Sequence, residues 1–360
     1  MKKLAIVVPF SYPSACGVWA SVENLIPFLK KKFEVHVFSS NVIKGTNKIS
    51  KNYETIDEIH YHRFPIRLNF SEHSSFWFFW KELIKLKPDI IHTHVYRHFH
   101  SFQALIVAKL LNVPCYLTTH APFLDTKLRK FYADAIASFY DLVFGRLTLN
   151  KYKKVIAITK WEIPILLDMG CLKSRISFVP NGVDSGFFKV PIINDKIRKV
   201  VYAGRVSPVK NLEILNSLAI EFSNLEFIIL GPLQQGYNFS VSSKNVKFIN
   251  KKYNKNEEIN FFKSSDIFIL PSIREANPLV LMEAMGAGKI VICSNNKGCN
   301  ELIDSGRGFI YKNYDDLKRI LYYCIKNYKS LNRLRFNARK FSKSREWSKI
   351  AQSIVKIYLS

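Results

Sequence analysis

The stretch Ser272-Ile273-Arg274-Glu275-Ala276-Asn277-Pro278-Leu279-Val280-Leu281-Met282-Glu283-Ala284-Met285-Gly286 decides how the chain is read. It follows the apolar run Ile267 to Leu270, a buried strand by pattern, so the loop begins at that strand's carboxyl end. Doubly wound sheets bind their ligands there. Asn277 can cap a helix and Pro278 suits its first turn, which aims free backbone N–H groups and the positive end of a helix dipole at the loop. A phosphate fits such an end. Glu275 precedes this helix and Glu283 lies about two turns inside it, leaving two carboxylates spaced along one ligand. Carboxylates suit sugar hydroxyls, and the apolar Leu279, Val280, Leu281 and Met282 around them speak against idle surface charges.

Short runs rich in Val, Ile and Phe alternate with amphipathic stretches on both sides of this segment. Leu4 to Val8, a helix near Trp19 to Lys30, and Val35 to Ser39 open a βαβ pattern that continues through Ile90 to His92, Cys115 to Thr118 and Val155 to Ile158. A parallel sheet is expected in this half. The turn-forming cluster Pro180-Asn181-Gly182-Val183-Asp184 and the aperiodic segment from Pro191 to Arg198 mark a linker. The pattern then restarts with Val200 to Ala203, Phe227 to Leu230, Val246 to Ile249, Ile267 to Leu270 and Ile290 to Cys293. Residues 1–184 and 185–343 therefore form two α/β domains, and the last helical segment, with Trp347, Ile350, Ile354 and Tyr358 on one face, has to pack on something.

The two glutamates separated by seven residues resemble the donor-binding motif of family four of the retaining glycosyltransferases. Gly204-Arg205-Val206-Ser207-Pro208-Val209-Lys210, after Val200 to Ala203, resembles the loop whose Arg and Lys hold the donor diphosphate in that family. A departing nucleotide diphosphate gains negative charge as the glycosidic bond breaks, and two fixed cations stabilise that charge most in the transition state. Pro9 to Gly17 resembles the family's glycine-rich loop, Pro88 to His94 its second-strand pattern, and Thr118-Thr119-His120 ends a further strand. The resemblance runs from Leu4 to the Trp347 helix. It implies the GT-B fold: two Rossmann-like parallel-sheet domains facing across a cleft, with residues 344–360 crossing back to complete the first. It implies that Gly17, Gly204, Arg205, Lys210, Glu275, Ala276, Asn277, Pro278, Leu279 and Glu283 bind the donor. Arg205 and Lys210 neutralise the diphosphate, Glu275 positions the sugar, Glu283 holds the ribose, and His120 orients the transferred sugar; for His120 a plain core histidine is the alternative. Three positions depart from the pattern: the usual glycine pair is Gly17-Val18, Ala276 follows Glu275 where glycine is common, and Lys289 stands where proline is common.

Composition bounds the rest. With 360 residues, 48% hydrophobic and 23% charged, the chain has material for two cores, and no apolar run approaches the ~20 residues of a membrane-spanning helix. A cytoplasmic protein is expected. Its six cysteines are scattered, with no Cys-x-x-Cys pair, as reduced core thiols are. A net charge of +26 calls for an anionic partner or a lysine-rich solvated surface, but no zinc finger, basic zipper or RNA-stacking signature points to nucleic acid. His92, His94, His98 and His100 crowd together without a carboxylate or thiolate, no Asp-x-Asp pair is present, and no metal or other cofactor is expected. Gly231 to Gly236 imitates a P-loop, yet Tyr237-Asn238 stand where Lys and Ser or Thr belong.

The expected function is retaining transfer of a hexose-type sugar from a nucleotide diphosphate sugar to a lipid-linked saccharide or other glycan precursor. A nucleotide-sugar epimerase on the same fold and a basic nucleic-acid-binding protein are the alternatives. Phe76-Trp77-Phe78-Phe79-Trp80, followed by Lys81, Lys85 and Lys87, reads either as a core-facing helix or as a peripheral contact with an anionic membrane.

Overall fold

The computed structural model describes residues 1–14, 16–44, 48–69, 75–123, 138–192, 196–304 and 306–360. Ala15 of the first loop and residues 193–195 of the linker segment lie outside them. The chain divides into two compact units, Met1–Asn181 with Ser348–Ser360, and Gly182–Trp347.

The first unit is built on β1 (Lys2–Val7), β2 (Phe33–Ser40), β3 (Tyr53–Ile56), β4 (Ile59–Phe64), β7 (Ile90–His94), β8 (Cys115–Thr118), β9 (Lys154–Ala157) and β10 (Ile176–Phe178), with β5 (Leu68–Asn69) and β6 (Ser75–Phe76) as a separate ribbon. The eight strands order as β10-β9-β8-β7-β1-β2-β4-β3. All pairs are parallel except β3 with β4, which corrects the expectation of a purely parallel sheet. The cause is local: Asp57 and Glu58 both take positive φ, 49° and 69°, and two such residues make the tight turn that suits an antiparallel hairpin.

The aromatic run is not the helix expected of its core-facing reading: Phe76 ends the short strand β6 and residues 77–79 lie in no regular element. Trp77 and Phe79 are buried, whereas Phe78 and Trp80 are 47% and 44% exposed, and the helix Trp80–Leu86 begins only at the last of them. Burial therefore divides the run, with Trp77 and Phe79 in the core and Phe78 and Trp80 towards solvent. The helix Trp347–Leu359 supplies Tyr358, whose ring packs 5.1 Å from that of Tyr116 and whose hydroxyl lies 2.6 Å from His92 Nδ1. Its apolar face thus completes the core of the first unit.

The second unit carries β11 (Lys199–Ala203), β12 (Glu226–Leu230), β13 (Val246–Ile249), β14 (Ile267–Leu270), β15 (Ile290–Ser294) and β16 (Phe309–Tyr311). All are parallel, in the order β13-β12-β11-β14-β15-β16. Counted within the unit this is 3-2-1-4-5-6, the doubly wound order whose switch point falls between the first and fourth strands. Here those are β11 and β14. Lys289, at the proline-like position before β15, is fully buried and donates from Nζ to the Ser265 carbonyl at 2.8 Å. Burial, with Arg335 nearby, pulls its ammonium down to about 7.

Candidate functional site

Both signature loops leave the carboxyl ends of the two strands that flank the switch point of the second unit. After β11 the chain turns at Gly204, φ 140°, and the Tyr202 hydroxyl holds the turn by donating to the Arg205 carbonyl at 3.0 Å. After β14 the loop is tied to its neighbour through the Ile273 N–H, which donates to the Val209 carbonyl at 2.9 Å. That one backbone bond sets Lys210 beside Glu275. Lys210 Nζ lies 2.5 Å from Glu275 Oε1, with the two side chains 19% and 12% exposed, while Arg205 is exposed. A small residue is needed on the other side: a Cβ on Gly298 would stand 2.5 Å from the Glu275 carbonyl oxygen and 2.7 Å from that of Ala276.

The helix that follows is Leu279–Gly286, and its N-cap is Pro278. The capping role expected of Asn277 is therefore corrected: no side chain caps this helix, because the extended Pro278 already occupies the boundary position. Its first amides face the loop end without an intrahelical acceptor. Glu283, buried, points from this helix to the half-buried Lys255, 2.5 Å from its Nζ.

Lys255 and its second partner, Glu258 at 3.2 Å, went unread in the sequence. Both sit on the helix Lys255–Lys263, which opens with a capping box between Asn254 and Glu257. That box, Asn-x-x-Glu, was the available signal for the helix start. Burial draws the Lys255 ammonium down, but Glu283 and then Glu258 outweigh it and hold its pKa above the ordinary lysine value. Burial, with Glu283 adjacent, pushes the Glu258 carboxyl up to about 8. Each glutamate of the motif thus has its own lysine: Glu275 with Lys210, Glu283 with Lys255.

His120 and Gly17 belong to the first unit. His120 follows β8 at φ 56°, a left-handed conformation that costs a side-chain-bearing residue energy and often marks a functional position. Its Nε2 is 2.9 Å from His94 Nδ1, and burial lowers its pKa to about 3, so the ring is neutral. Gly17 begins the helix Gly17–Leu29 in open space, where a Cβ would touch nothing within 4 Å. The histidine crowd is engaged internally: His92 lies between Tyr358 and Thr118, and His100 Nε2 donates to the His94 carbonyl at 2.8 Å.

A model of the glycosyl transferases group 1 matches residues 185–341, and one of glycosyltransferase family 4 matches residues 15–187. The chain belongs to glycosyltransferase family 4. Both halves of this family 4 glycosyltransferase are covered, including the paired loops of the second unit. The UDP-Gal:alpha-D-GlcNAc-diphosphoundecaprenol alpha-1,3-galactosyltransferase of Escherichia coli is 28% identical over 62% of this chain and 62% of its own length. The capsular polysaccharide biosynthesis glycosyltransferase CapH of Staphylococcus aureus is 25% identical over 81% of this chain and 82% of that protein. Among solved structures, Anabaena HepE in complex with UDP and glucose superposes with a TM-score of 0.73, at 15% identity, over 99% of both chains. The family 4 enzyme accordingly has the GT-B fold. No helix among its described residues is long and apolar enough to cross a membrane.

Proposed function

We propose that the chain is a retaining hexosyltransferase, moving a sugar from a UDP-hexose to a lipid-linked saccharide. The observation that carries this reading is the meeting of Lys210 with Glu275 on the loops that leave β11 and β14, with the helix Leu279–Gly286 starting just after the second loop, at the switch point between those strands. Arg205 and Lys210 take the diphosphate, the amides at the Leu279 end add hydrogen-bond donors, Glu283 accepts from the ribose hydroxyls, and Glu275 positions the sugar. Ala276, Asn277 and Gly204 line the same loops by position. As the bond from the anomeric carbon to the diphosphate breaks, these cations stabilise the charge that develops, which is the work a metal ion does in other transferases. The acceptor oxygen attacks the same face, and its proton passes to a diphosphate oxygen. The preference for UDP and for a lipid-linked acceptor is supported by the names of the Escherichia coli relative and the Anabaena structure.

NMR of the product tests the stereochemistry: the anomeric configuration of the donor is retained, and an inverted product overturns the mechanism. Transfer proceeds at an unchanged rate in excess chelator, and loss of activity there overturns the metal-free part of the reading. His120→Ala lowers kcat while the affinity for UDP, measured by calorimetry, stays constant.

A further inference from the structure

We propose that Glu34, His36 and His60 form a binding site for one divalent transition-metal ion of the zinc type, on the paired strands β2 and β4 of the first unit. The ligand atoms of these three side chains all lie within 4.8 Å of one another. They converge because His36 and His60 are paired residues of neighbouring parallel strands, and Glu34 is two residues before His36 on the same face. Two imidazoles and one carboxylate are a ligand set that zinc takes with a fourth position left to water.

The surroundings match what metal-bound imidazoles need beyond the ion. His36 Nε2 faces Glu34 Oε1 at 2.8 Å, which leaves Nδ1 to the neighbouring ring, 3.1 Å from His62 Nε2. His60 Nδ1 is 3.0 Å from the Tyr53 hydroxyl, which leaves its Nε2 for the ion. Each ring thus has an acceptor for its second N–H, the arrangement that fixes tautomer and orientation in metal sites. Ligands of a tetrahedral zinc sit about 3.3 Å apart, so the Glu34–His36 contact opens slightly as the ion enters. The rings of His36 and His60 are stacked at 4.6 Å, which keeps the third ligand beside the other two. The Glu34 side chain is 36% exposed and gives the ion its path from solvent. A bound ion would tie β2 to the β3–β4 hairpin.

The experiment uses the full chain without a polyhistidine tag, stripped with chelator and titrated with zinc chloride by calorimetry, with metal content read by mass spectrometry. One zinc per chain is expected, with a rise in melting temperature that follows zinc concentration. Glu34→Gln and His60→Ala, at partly exposed positions, abolish the rise. Tyr53→Phe, which removes only an orienting hydroxyl, weakens binding about 10- to 100-fold. A wild-type chain that takes up no zinc overturns the proposal. So does zinc held equally by Glu34→Gln, His36→Ala and His60→Ala chains whose circular dichroism shows them folded.

Discussion

Lys210 and Arg205 carry charge of the same sign, yet the structure separates what their removal does. Arg205 is exposed, so Arg205→Ala leaves stability within about 0.5 kcal/mol of the wild type. If it stabilises the leaving diphosphate, kcat falls by about 10²- to 10³-fold. Lys210→Ala lowers kcat similarly and also strands the Glu275 carboxylate, 12% exposed, at a cost of about 1–3 kcal/mol in urea unfolding. Equal stability losses in the two variants would contradict the pairing. Lys210 and Glu275 were legible in the sequence because each stands in a short contiguous stretch after an apolar strand, where loop position alone suggests a ligand. Lys255 was not legible: it reaches Glu283 across 28 residues, and no periodicity links a helix start to the interior of another helix.

At the level of elements, the strands of both units were readable as apolar runs, and their alternation with helices gave the doubly wound class. Two features escaped. The hairpin at Asp57-Glu58 lacks the Asn-Gly or Asp-Gly signal of a tight turn, so β3 was unseen. The aromatic run from Phe76 to Trp80 has neither helical nor alternating polarity, and only the folded packing shows which rings are buried. Close approach of strand ends is also invisible without coordinates. Gly231 takes φ 148°, and a Cβ there would lie 1.9 Å from the Gly204 carbonyl oxygen, backbone that cannot swing aside. Gly231→Ala therefore costs about 3 kcal/mol or more, and it displaces the turn that presents Arg205. Differential scanning calorimetry reads the first effect, and UDP titration the second. A variant that melts and binds like the wild type would show that β11 and β12 do not approach so closely.

Across the whole molecule, buried titratable groups set opposite pH responses in the two units. Every histidine among the described residues falls in the first unit, and burial holds His62, His92, His94, His100 and His120 neutral, His92 and His120 at about 3 and His62 and His100 at about 4. Their unfolded forms bind protons near 6.5, so as pH falls below that value the unfolded state gains protons that the folded state refuses. Each such histidine then costs about 1.4 kcal/mol of stability per pH unit until its folded pKa is reached. Glu162 works against them, since burial raises it to about 7 and its protonation favours the folded form as pH falls, but it is one group against five. The second unit runs the other way through Glu258, raised to about 8. Its folded form keeps a proton that the unfolded form releases near 4.5, so its stabilising contribution is whole below that pH and is lost as pH rises towards 8. Two calorimetric transitions are expected to respond differently to pH, since units with separate cores need not melt together. Glu258→Gln, which mimics the protonated carboxyl and leaves Lys255 paired with Glu283, raises the melting temperature of the second unit more at pH 8 than at pH 5. It leaves the acid response of the first unit unchanged. If wild type and Glu258→Gln melt in parallel from pH 5 to pH 8, Glu258 is ionised throughout and the buried acid–carboxylate pair beside Lys255 does not exist.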